Sequence, residues 1–136
     1  MTPTLSDVIA ECERASEGSR ELDAEIALAI GAAPPESFRP SAAMDAGTFA
    51  IGAYGFWKAA EFTRSLDAAM TLVPNNVKRL YLEIDNGPGE GHAAHASIVP
   101  SAVDCAISFG HANTLSLALC IAALRARAIL AKGEMR

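Results

Sequence analysis

Lys78-Arg79-Leu80-Tyr81-Leu82-Glu83-Ile84-Asp85, His92-Ala93-Ala94-His95-Ala96-Ser97-Ile98-Val99 and Val103-Asp104-Cys105-Ala106-Ile107-Ser108-Phe109 are three runs in which side-chain character changes at nearly every step. Successive side chains of an extended chain point to opposite faces, so each run predicts a strand with one buried and one exposed or ligand-facing side. The strands are expected over 78–85, 92–99 and 103–109, with Leu80, Leu82, Ile84, Ile107 and Phe109 turned inward. The loop Asn86–Gly91 joins the first two as a hairpin wider than a tight turn, and Pro100 and Ser101 separate the second from the third. If Ile84 opposes Ala94, then Glu83 opposes His95 and Tyr81 opposes Ser97, with Arg79 and Asp104 on that same outer face.

Helical spacing surrounds this meander. Thr4 and Asp7 have capping-box spacing ahead of Leu5, Val8, Ile9 and Cys12. Ser19 can cap a second helix carrying Leu22, Ile26, Ala29 and Ile30, which Gly31, Pro34 and Pro35 end. Residues 32–47 read as a loop. The stretch from Thr48 to Trp57 is ambiguous, with Phe49 and Ile51 suggesting a short extended piece. Phe62, Leu66, Met70 and Val73 share a helical face up to Pro74. The last helix follows a cap at Asn113 or Thr114. Leu117, Cys120, Ile121 and Leu124 face one way, but Leu115 and Leu119 are apolar too, so it should be covered on more than one side. The fold class is α+β: helices packed on a short antiparallel sheet in an α/β/α-type sandwich, with a three-stranded meander over 78–109 followed by a buried C-terminal helix. Leu66, Met70, Leu117, Ile121 and Leu124 are expected in its core.

A chain of 136 residues fits one domain, 1–136. It is 51% apolar, but alanine dominates and aromatics make up 6%. Small side chains gain little by burial, which favours oligomerisation, most simply a homodimer through the 115–130 helix or the 49–57 segment. Sixteen acidic against eleven basic residues give a net charge of −5, which argues against binding long nucleic acid. Neither a secretion signal nor an apolar stretch long enough for a bilayer is read, so no membrane partner is expected. Cys12, Cys105 and Cys120 are far apart and form no metal-ligand spacing; they read as small buried hydrophobes in a reducing cytoplasm.

Three segments carry a family resemblance. They are Glu21-Leu22-Asp23-Ala24-Glu25-Ile26-Ala27, Phe62-Thr63-Arg64-Ser65-Leu66-Asp67-Ala68-Ala69 running on to Leu72-Val73-Pro74, and Leu117-Ala118-Leu119-Cys120-Ile121-Ala122-Ala123-Leu124-Arg125-Ala126. In this order the chain resembles the phage ABA sandwich domain, a family of small phage and prophage proteins. Asn75, Asn76 and Val77 stand where the family often has tryptophan, and Asn113, Thr114 and Leu115 where it often has Thr-Pro. The resemblance implies helices on a short antiparallel sheet and a phage or prophage origin, hence the cytoplasm of an infected or lysogenic host. It supplies no catalytic residues.

The residues offer limited chemistry. Asp85–His92 is glycine-rich and follows a strand, but it lacks the Lys-Ser/Thr of a P-loop and no helix follows; a plain hairpin is favoured. His92 and His95, three apart on a strand, point to opposite faces and cannot chelate one metal together, His111 is too distant in sequence to judge, and the carboxylates lack ligand spacing, so no metal or cofactor is expected. Glu83 and His95 could do acid–base work, or simply belong to a solvated face. Tyr54, Phe56 and Trp57 could stack on a flat ligand with Arg64 near for a phosphate, or plug a core. The candidate ligand-binding residues are therefore Tyr54, Phe56, Trp57, Arg64, Arg79, Tyr81, Glu83, Asn86 and His95. The leading expectation is a phage accessory protein that acts by binding a small anionic or nucleotide-like ligand or a host protein, for instance as an inhibitor of host defence. The alternatives are a small hydrolase or lyase using the Glu–His pair, with Asp104 as a third group, and a structural or assembly protein of the virion.

Overall fold

A computed structural model of the chain describes residues 3–34, 37–38, 46–51, 55–84, 94–100 and 108–131. Helix α1, Leu5–Arg14, begins at the expected capping box: the Asp7 N–H donates to Thr4 Oγ1 (3.1 Å) and the Thr4 N–H to Asp7 Oδ2 (3.3 Å). Ser19 caps α2, Arg20–Ala29, by accepting from the Leu22 N–H. At its far end the Gly31 N–H donates to Leu28 O and the Ala32 N–H to Ala27 O, closing a Schellman turn. Gly31 sits there at φ +74°, the left-handed conformation that favours glycine.

Two three-stranded antiparallel sheets follow. The first joins β1 (Ser37–Phe38), β2 (Thr48–Ile51) and β3 (Gly55–Lys58) in that order. The ambiguous stretch is therefore extended through most of its length, and Phe49 on β2 is fully buried. The second sheet is the expected meander, β4 (Val77–Ile84), β5 (Ala94–Pro100) and β6 (Ser108–Ala112). Its register places Ile84 opposite Ala94, Glu83 opposite His95 and Tyr81 opposite Ser97, as the alternation required.

Helix α4, Leu115–Ala131, is capped by Thr114, whose Oγ1 accepts from the Leu117 N–H. It lies across the inner face of the second sheet, mainly on β5 and β6, while α1 and the short α3 (Leu66–Met70) pack on its other side. Residues 117–124 are all buried within one chain. Cover from the sheet on one side and helices on the other accounts for the absence of a polar face, without recourse to a second subunit. No helix of the described residues is long and apolar enough to cross a membrane.

Four expectations change. The helical face read from Phe62 to Val73 becomes a turn followed by the five residues of α3. The Thr63 N–H is taken by the Asp23 carboxylate (2.9 Å), and the helix starts only at its Ser65 cap. Met70, at the end of so short a helix, is 43% exposed, while Ala69 and Leu72 enter the core. Ile84 is 57% exposed because it ends the edge strand, to which α4 contributes little cover; Leu80 and Leu82 on that strand are half-buried. Phe109 points outward, 44% exposed, because β6 turns Ser108, Gly110 and Ala112 toward α4. The helix runs so close over β6 that Ser108 Oγ donates to the Ala122 carbonyl (2.8 Å), leaving no space for a phenyl ring. Residues 85–93 and 101–107, including Asp104, Cys105 and Ile107, lie outside the described residues.

Candidate functional site

Strand register gathers the outward side chains of β4, β5 and β6 into rows. One row runs Glu83, His95, His111; the next runs Tyr81, Ser97, Phe109; Arg79 continues the face beside Tyr81. Tyr81 is 50% exposed and Phe109 44%, while Ser97 between them is buried. The closest polar contact is between imidazoles: His95 Nδ1 and His111 Nδ1 are 3.2 Å apart and the ring centroids 4.4 Å apart. The Phe109 ring lies 6.0 Å from that of His95 on its other flank. Arg79 Nη1 reaches Tyr81 Oη only at 3.4 Å, leaving both groups close to solvent.

The four strand-face candidates, Arg79, Tyr81, Glu83 and His95, thus share one surface. Glu83 is the direct cross-strand neighbour of His95, yet among the described residues the bond that His95 makes is to His111 rather than to this carboxylate. Phe56, Trp57 and Arg64 lie elsewhere. Trp57 on β3 is half-buried, its ring edge-on to Phe49 with centroids 5.5 Å apart, while Phe56 is 62% exposed. Arg64 pairs with Glu61 at 2.9 Å and borders an open cleft of about 390 Å³ shared with Arg20 and Lys58. Among the described residues no strand of the first sheet is hydrogen-bonded to the second, so Phe56 and Trp57 lie on a different sheet from the strand-face candidates, and Arg64 lies in the turn before α3. Tyr54 and Asn86 lie outside the described residues.

Sequence reading did not find His111 as a partner of His95, nor Phe109 as a surface aromatic. The available signal was the run of small residues at alternate positions, Ser108, Gly110 and Ala112, facing the alanines of the last helix. With those small residues turned inward, Phe109 and His111 fall on the outer face. Among the described residues no group of three or more His, Cys, Asp and Glu is disposed to hold a metal ion.

The described cysteines take no part in this surface. Burial, with smaller contributions from Glu11, Asp23 and Glu13, pushes the Cys12 thiol up to about 12. Burial also pushes the Cys120 thiol well up, with smaller contributions from Cys12 and Asp23; its Sγ donates to the Phe62 carbonyl. Both stay protonated in the folded chain, so neither is the thiolate that nucleophilic chemistry needs. In a Cys105→Ser background, a thiol reagent at pH 8 should modify no cysteine of the native protein and both once it is denatured. Fast native labelling of either would show the burial to be wrong. The unfolded Cys12 thiol ionises first, so its contribution to stability is complete below about pH 8.5. It falls as pH rises from there toward 12.

Comparison with family models, with curated proteins and with solved structures finds no match to this chain.

Proposed function

We propose that this chain is a small accessory protein of phage type that acts by binding, and that the outer face of its second sheet takes a nucleotide-like anionic ligand. The observation that carries the reading is the exposure of two aromatic rings, Tyr81 and Phe109, in one row of an open sheet face beside Arg79, His95 and His111. Rings on an open sheet give a base something to stack on, and guanidinium and imidazole N–H groups give its phosphate donors. A flat face needs no deep cleft for this. The acidity of the whole chain disfavours a long polyanion but leaves room for one nucleotide, since local potential decides small-ligand binding.

The hydrolase reading draws no support from the contact that His95 makes, because that contact is to a second imidazole. The phage origin and the host cytoplasm rest on the three matching segments alone. Self-association is expected through the 49–57 segment, where Phe56 stands exposed, since α4 is covered within the chain.

Calorimetry with a panel of nucleoside mono- and diphosphates and cyclic nucleotides tests the reading. A ligand of this class should bind, and Tyr81→Ala and Phe109→Ala should each weaken it by about 1–3 kcal/mol, roughly five- to 150-fold, the usual worth of one stacked base. Arg79→Ala should weaken the phosphorylated members and spare the nucleosides. Absence of heat across the panel, or binding indifferent to both ring deletions, would defeat the proposal and leave a host protein as the better occupant of this face.

A further inference from the structure

His95 and His111 approach through the same atom type, Nδ1 to Nδ1, at 3.2 Å. Without a metal, that contact holds when one Nδ1 carries a proton and the other offers a lone pair. The same spacing meets a different requirement. A zinc ion sits about 2.0–2.1 Å from an imidazole nitrogen, so two nitrogens this far apart would subtend roughly 100° at the metal, close to the tetrahedral angle. The rings are carried by directly paired residues of neighbouring strands, so the backbone ladder of β5 and β6 holds the two side chains next to each other. His111 is exposed and His95 half-buried, which leaves solvent a route to the gap.

From this geometry we infer a divalent metal site of late transition type, to which His95 Nδ1 and His111 Nδ1 are the donors among the described residues. Imidazole nitrogen selects zinc, nickel, copper or cobalt over magnesium and calcium, which take oxygen ligands. Binding needs both Nδ1 lone pairs, so the proton that one Nδ1 carries in the metal-free pair moves to Nε2 of the same ring. Each imidazole is then neutral with an Nε2–H, and the net proton count is unchanged. The site does not depend on nucleotide binding.

Titration of the whole protein with zinc chloride, by calorimetry and by ¹⁵N NMR of labelled histidines, tests it. One zinc per chain should bind, with the Nδ1 resonances of His95 and His111 moving and their Nε2 atoms remaining protonated. Loss of a group that only supports a ligand costs about 10–100-fold in metal affinity, so deleting a ligand itself, His95→Ala or His111→Ala, should cost at least about tenfold. His92→Ala should leave the affinity unchanged, and magnesium should not compete. Far-ultraviolet circular dichroism of each variant checks that it is folded. Zinc bound equally well by both single variants, zinc lost on His92→Ala, or resonance shifts at Nε2 instead of Nδ1 would each overturn the assignment.

Discussion

Replacing Asp23 by alanine is expected to lower the unfolding free energy by about 3–5 kcal/mol, the cost of breaking a buried charged pair from one side. Asp23 is fully buried and serves three donors at once. Arg20 Nη1 lies 2.8 Å from its Oδ2, while the Thr63 N–H (2.9 Å) and the Thr63 hydroxyl (2.7 Å) both meet Oδ1. Thr63 Oγ1 in turn accepts from the Ser19 N–H, and Arg20 Nη2 donates to the Ala59 carbonyl. The network ties the start of α2 to the end of β3 and to the turn before α3. Truncation would strand the Thr63 N–H away from water and remove the counter-charge from a largely buried guanidinium, which costs more than the hydrogen bonds themselves were worth. The melting temperature should fall on the order of 10 °C or more. Asp23→Asn should cost less, since its amide oxygen can still accept from Thr63. A double-mutant cycle with Thr63→Val should show coupling above about 0.5 kcal/mol. A loss below about 1 kcal/mol in Asp23→Ala would mean that the carboxylate is not the organiser of this junction.

Asp23 and Thr63 lie inside two of the segments that carry the family resemblance, and they are bonded to each other. Spacing along the chain could not show this, because the two residues meet across 40 positions of sequence. What alternation did show is the pairing of 78–84 with 94–99: a period of two leaves one register that buries one side, and Leu82 opposite Ala96 satisfies it. The same rule failed at Phe109. There side-chain size overrode hydrophobicity, because the partner surface is a helix of alanines seated almost on the strand backbone. With the parity of β6 inverted, His111 could not be seen as the neighbour of His95, and the row Glu83–His95–His111 stayed hidden. The first sheet escaped for another reason. Its strands are only two to four residues long, too short for a period to be counted.

Gly110→Ala should be among the most damaging single changes in the chain, with a loss of about 3 kcal/mol or more, at or beyond the upper end of the usual overpacking range. A methyl group at this position would fall on the Ala118 carbonyl oxygen and 2.7 Å from the Ala122 nitrogen. Both are backbone atoms of α4, so no rotamer change can make room; the helix must lift or β6 must shift. Gly31→Ala is the useful contrast. Nothing lies within 4 Å of its added carbon, and its cost should come from the φ of +74° alone, about 1 kcal/mol. Trimming Ala118 and Ala122 to glycine in the Gly110→Ala background should not restore stability, because side chains are not the obstacle; rescue by either trim would refute the backbone-contact account. The damage should also reach the outer face. His111 follows Gly110 directly, so a displaced β6 carries its imidazole away from His95 and opens the 3.2 Å contact between them. Gly110→Ala should therefore weaken zinc binding even under conditions where the variant remains folded, whereas Gly31→Ala, at the C-terminus of α2, should not.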